Sequence, residues 1–180
     1  MKRAHPVLLA LVAILAAAGL AAVEGSAGGI RWTMPAHWKV AEPRPMRMAT
    51  YTIPGFHGAE DGECGVFYFG QGQGGSVEEN LSRWARQFES ATKPKNSERT
   101  IHGLRVHLVE VSGTYLSPGG PMMQSQGKKE GWSLDGAIVE APEGLVFFKC
   151  VGPAATIQAA RKDFDALLES LAKVAGGKRA

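Results

Sequence analysis

The sequence predicts an α+β fold: a largely antiparallel sheet of about six strands packed against two or more helices. Three observations lead there. Segments that alternate apolar and polar residues are joined by links of hairpin length. Two segments carry apolar residues at helical spacing, each behind a candidate capping hydroxyl. The resulting order, β-β-β-α-β-β-β-α, lacks the strict strand–helix alternation of a parallel sheet.

The 180-residue chain starts with Lys2 and Arg3, followed by a stretch from Val7 to Val23 without a charge. Gly25-Ser26-Ala27 then fits the small-x-small rule for signal cleavage. Residues 1–27 are therefore expected to be a signal peptide, with Ala21 as the alternative cut and an uncleaved anchor as the competing reading. Residues 28–175 form the single expected domain, and 176–180 an expected disordered tail. The implied location is exported, periplasmic or extracellular, with no stable membrane span after cleavage.

Within the domain, Ile30–Thr33 and Trp38–Val40 read as pieces of an edge strand interrupted by Pro35. Arg47 to Ile53 alternates and stops at Pro54-Gly55. Cys64 to Phe69 is aromatic and β-branched, as expected of a central strand buried on both faces. Ser76 and Glu79 form a capping box for a helix whose apolar face is Val77, Leu81, Trp84, Ala85 and Phe88. Residues 92–99 read as a polar link, and His102-Gly103 as a turn. Leu104 to Tyr115 is a strand with Gly113 as a bend or bulge. Residues 117–130 read as a long loop. Trp132–Glu140 and Leu145–Val151 are two strands joined by a four-residue loop. Thr156 is the expected cap of the last helix, with Ile157, Ala160, Phe164, Leu167, Leu168 and Leu171 on its apolar face.

Charge narrows the function classes. The formal net charge is +3, and loss of the leader leaves +2. Basic residues are interspersed with acidic ones, so no nucleic-acid partner is expected. Gly70, Gly72 and Gly75 satisfy G-x-G-x-x-G after a strand and before a helix. The chain lacks the lysine and threonine of a phosphate loop there, and Glu79 would compete with an anion for the helix start. The glycines read instead as a turn that lets backbone approach the sheet. His57, Glu60, Asp61, Glu63 and Cys64 are the only dense set of metal-ligating types, but their spacing matches no zinc or calcium loop. No metal, cofactor or catalytic residue is expected. Cys64 and Cys150 each sit among large apolar residues, and two buried free thiols are favoured over a disulfide that export would permit.

The motifs also carry a resemblance. Trp32-Thr33-Met34-Pro35-Ala36-His37-Trp38, the run Phe67 to Val77 with Asn80, Trp84, Gln87 and Phe88, and Gly113-Thr114-Tyr115 with Gly152-Pro153-Ala154 together resemble a group of uncharacterised exported bacterial proteins. The arrangement of that group is similar to the PsbP/Mog1-like α+β sandwich. That resemblance implies a noncatalytic binding module, because the wider class includes a photosystem extrinsic subunit and a small-GTPase-binding protein. It transfers no catalytic residue. The expected function is binding or scaffolding, with an unknown protein or small ligand, through surface loops. Gly72, Gln73, Gly74, Met122, Met123 and Trp132 are the expected contacts. The alternative is a hydrolase-type enzyme whose site is assembled from distant residues.

Overall fold

The structure, a computed structural model, describes residues 22–117 and 127–174. Strands β1 (Glu24–Ala27) and β2 (Ile30–Thr33) form a hairpin around Gly28 and Gly29, both at positive φ. Next come β3 (Lys39–Val40), β4 (Ala49–Ile53) and β5 (Gly62–Tyr68). Helix α1 (Val77–Ala85) leads to β6 (Phe88–Glu89), β7 (Lys95–Ile101) and β8 (Leu104–Leu116). The long hairpin of β9 (Lys128–Ala141) and β10 (Gly144–Pro153) follows. The described chain closes with α2 (Ala154–Ala159), α3 (Arg161–Glu169) and β11 (Ala172–Lys173).

Two sheets result. The large one runs β3-β4-β5-β10-β9-β8-β6, with β7 also paired to β8, and the small one runs β1-β2-β11. Every strand pairing among the described residues is antiparallel. The period-2 pattern of the strands sends alternate side chains to opposite faces. One face of the large sheet, with Val66, Val106, Val139, Val146 and Phe148, packs against Ile30 and Trp32 of the small sheet and Ile157, Phe164 and Leu168 of the helices. The opposite face, with Val109, Val111, Leu134, Ile138 and Phe147, is covered in part by Trp84 and Phe88. This accounts for the apolar residues on both faces of the central strands.

Helix α1 forms for the expected reason. Ser76 Oγ accepts from Glu79 N at 3.2 Å, and Ser76 N donates to Glu79 Oε2 at 2.8 Å. Those hydrogen bonds hold the Glu79 carboxyl below the usual carboxylate range. The helix is seated where Gly136 leaves room for Trp84: a Cβ there would lie 2.5 Å from the indole. Gly136→Ala is therefore expected to destabilise the fold by about 1–3 kcal/mol through overpacking. Urea denaturation measures this, and an unchanged midpoint would contradict the account of how α1 docks.

Several expectations are corrected. The large sheet has eight strands where about six were expected. Residues 92–99 are not a plain link, because Lys95–Ile101 pairs along β8. Most of its side chains are exposed, so it shows little apolar alternation. The link from β9 to β10 has two unpaired residues, Pro142 and Glu143, not four. Thr156 does not cap the last helix. It lies buried inside α2, whose N-cap is Pro153. Its hydroxyl donates to Glu60 O at 2.9 Å and accepts from Phe56 N at 3.2 Å, tying the 54–61 turn to the helix. Separately from these corrections, Glu24–Ala27, which lies within the expected leader, pairs with β2.

The cysteines are also corrected. Cys64 and Cys150 are joined in a disulfide. They are direct partners in the β5–β10 register, with Cα atoms 3.9 Å apart. Their apolar surroundings, which suggested free thiols, are equally those of a buried bridge in the middle of a two-sided sheet.

Candidate functional site

The α1 side of the large sheet changes character along its length. Under α1 it is tightly packed and apolar. Beyond the helix, odd-numbered residues of β5 and β10 on the same face include Glu63, Phe67, Lys149 and Val151. Charged groups and aromatic rings alternate there. Arg47 stacks its guanidinium 5.3 Å above the Phe67 ring, and Lys149 sits with Nζ 5.5 Å from the Tyr115 ring centre. Tyr115 in turn stacks on Trp132 at 5.8 Å, with the rings nearly parallel. Lys129 lies over Trp132 at 5.2 Å.

A register irregularity builds the last contact. Gly113 pairs with Trp132, but Tyr115 pairs with Lys129, so β9 carries one extra residue. That residue reverses the alternation of β9 and brings Lys129 to the face of Trp132. The sequence singled out Gly113 as the place for such a bulge.

The charges are unevenly matched. Glu63 is shared by two arginines, with Arg44 at 2.9 Å and Arg47 at 2.6 Å. Among the described residues Lys149 has no carboxylate partner within ion-pair distance. Its ammonium donates to Gln87 Oε1 at 2.5 Å and lies 3.4 Å from Tyr115 Oη. The residue keeps part of its surface exposed, while the ammonium end is enclosed. Burial, reinforced by Arg47, lowers the Lys149 pKa to about 8. Burial likewise pushes the Tyr115 phenol up to about 12, with Glu63 adding to the effect.

Two openings flank this row. One, of about 170 Å³, is lined by Phe67, Phe69, Asn80, Arg83, Trp84, Gln87, Phe147 and Lys149. The other, of about 450 Å³, includes Arg44, Arg47, Asp61, Glu63, Tyr115 and Trp132. The Arg47–Phe67 and Lys149–Tyr115 contacts join the two linings.

The sequence-derived contacts do not come together. Trp132 lies in the row just described. Gly72, Gln73 and Gly74 belong to the turn after β5, at the opposite end of the β5–β10 ladder. Val146 pairs with Tyr68 at that end and Val151 with Glu63 at the other, so the separation is roughly 20 Å. Met122 and Met123 lie outside the described residues. The glycine turn is bound down by Asn80, whose Nδ2 donates to Gly74 O at 2.8 Å and Ser76 O at 2.7 Å. Both neighbours of β5 are antiparallel, which removes the parallel strand pair of a dinucleotide site. Arg47, Gln87, Tyr115 and Lys149 were not among the expected contacts, and Glu63 was weighed only as a metal-ligating type. Lys149 gives a signal of its own by interrupting an apolar strand, while Gln87 and Tyr115 stood in the resemblance motifs without a role.

Elsewhere, His107 lies between Glu98 at 3.2 Å and Glu140 at 2.7 Å, and His102 meets the carbonyl of Leu171. Among the described residues no histidine hydrogen-bonds a hydroxyl or a thiol. No group of three His, Cys, Asp or Glu among them could hold a metal ion. In the 57–64 acidic stretch, Cys64 is bridged and Glu63 is taken by arginines. No helix among the described residues is long and apolar enough to cross a membrane.

An eight-stranded antiparallel sheet with helices on its faces and a small second sheet is a PsbP-like α+β sandwich. The chain is similar to the solution structure of cyanobacterial PsbP (CyanoP) from Synechocystis sp. PCC 6803, with a TM-score of 0.54 and 11% identity over 90% of this chain and 98% of that one. It is also similar to the crystal structure of PA94, a protein of unknown function from Pseudomonas aeruginosa. There the TM-score is 0.50 and the identity 11%, over 78% of this chain and 99% of that one. No protein-family model and no curated protein matches the sequence. At this identity the likeness is one of fold and carries no residue role.

Proposed function

We propose that the protein is a noncatalytic exported binding module whose ligand or partner docks on the α1 side of the large sheet, at the row Arg47–Phe67–Tyr115–Lys149. The observation that carries this reading is the Lys149 ammonium. An enclosed cation held by neutral groups is costly to a fold, and here it lines the smaller opening and lies over the Tyr115 ring that lines the larger one. Such spending of stability is common where a surface is kept for binding. The PsbP-like architecture supports the noncatalytic part. A screen of small anions, cations, neutral compounds and short peptides by amide-shift mapping tests the location. Shifts should cluster at β5, β10 and the α1–β6 junction. Clustering on the α2–α3 side, or none at all, would contradict the reading.

Export is supported by the basic and apolar start of the chain and by the disulfide, since such bonds persist in oxidising compartments. The cut is best placed after Ala21, which keeps β1 intact. A cut after Ala27 would delete a strand in which Gly25 packs against the Trp32 indole and Ala27 is buried. Mass spectrometry of the protein recovered from its host envelope should show a chain starting at Ala22. Removal of residues 22–27 is expected to cost about 1–2 kcal/mol, from the lost apolar burial. A mature chain starting at Gly28 with undiminished stability would overturn this placement.

A further inference from the structure

The ligand class follows from the smaller opening, on the reading that this face is the binding surface. Its walls are Phe67 and Phe69, stacked at 6.3 Å, with Phe147 at 5.8 Å from Phe69. Phe69 is one of the few large apolar side chains left exposed, at 37%. A volume of about 170 Å³ suits one ring; apolar cavities of about 150 Å³ take up benzene. At one end stands Lys149 and at the rim Arg83, which gives one N–H to Asn80 Oδ1. The charged groups that face Lys149 from the packed elements are Arg47, Arg83 and Glu63. Glu63 is already shared between Arg44 and Arg47. The opening is thus apolar in its body and has at one end an ammonium without a direct carboxylate partner among the described residues.

We propose that this opening is a site for a small planar monocarboxylate. Its carboxylate pairs with the Lys149 ammonium, and its ring lies against Phe67, Phe69 and Phe147. An ammonium has three N–H donors. Those of Lys149 already reach Gln87 and Tyr115, so about one is left for an incoming oxygen. That suits a monoanion better than a phosphate, which needs several donors. Faces and edges of three phenylalanine rings favour a planar arene or unsaturated chain over a saturated polar body. The lowered pKa of Lys149 adds a pH signature. Binding needs the charged amine, so affinity falls as pH rises through about 8, and binding above that pH takes up a proton.

The test is an amide-shift titration of the 15N-labelled protein with benzoate, benzamide, acetate and inorganic phosphate. Benzoate should give saturable shifts at Phe67, Phe69, Gln87, Phe147 and Lys149. Benzamide, acetate and phosphate should each bind at least about tenfold more weakly there. Lys149→Met, with its spectrum otherwise intact, should lose benzoate affinity by at least the same factor. If that variant does not fold, the benzoate–benzamide contrast and its pH dependence in the wild-type protein decide. Benzamide binding as well as benzoate, or phosphate binding better, would overturn the proposed class while leaving the face as the binding surface. No benzoate shifts, alongside shifts there from other compounds in the screen, would do the same. No shifts at these residues from any compound would overturn both.

Discussion

Replacing Cys64 and Cys150 together by alanine is expected to lower the unfolding free energy by about 2–5 kcal/mol. The bond closes a loop spanning a sequence separation of 86 residues and joins two central strands of the large sheet. In the chain-entropy account, opening so long a loop frees the unfolded ensemble most. Each cysteine is nearly fully buried and contributes to the core beneath Trp32 and Phe148, so the double variant also leaves small voids. Reductant should reach the bond only when the sheet opens, because no sulfur is exposed. Urea denaturation of the wild type and the variant, each with and without reductant, measures the effect. The wild type should weaken in reductant toward the variant, and the variant should be insensitive. A variant within about 0.5 kcal/mol of the wild type would contradict a stabilising role.

Lys149→Met is expected to act in the opposite direction, raising stability at pH 7 by roughly 2–3 kcal/mol. In the unfolded chain this amine has an ordinary lysine pKa of 10.5, and in the fold it is lowered to about 8. Between those values the unfolded chain holds more protons, so stability rises with pH across that window. The destabilisation by the charged amine is complete below about pH 8 and is relieved by about pH 10.5. Methionine has nearly the same length and no charge to desolvate. Its advantage should therefore be largest at neutral pH and should shrink as pH climbs to the upper end of the window. Chemical denaturation of both proteins at several pH values tests this. A destabilised variant at pH 7, with a pH-independent difference, would show that Lys149 serves the fold.

The layout of the molecule was legible in the sequence where local rules dominate. The Ser76–Glu79 capping box, the Trp84 face, the His102-Gly103 turn and the hairpin of β9 and β10 all follow from short-range spacing. Strand β7 was not legible, because Lys95 to Thr100 pairs with β8 through its backbone while most of its side chains are exposed and only Arg99 reaches back to α3. The Cys64–Cys150 bond depends on a register between strands far apart in sequence. So does the site. Arg47, Glu63, Gln87, Tyr115 and Lys149 come from five separate elements or their flanks, and none announces itself alone. The glycine turn drew notice because its motif is local, yet the structure uses Gly74 to pack closely against the rings of Phe69 and Phe147.

The enclosed charge of Lys149, with no direct carboxylate partner among the described residues, is the claim on which the proposed surface rests. An NMR titration of the Lys149 side chain, with the amine followed through its attached carbon or nitrogen, measures it directly. The account predicts a midpoint near 8. A midpoint at the ordinary lysine value would mean that water reaches the ammonium freely, and would contradict the account.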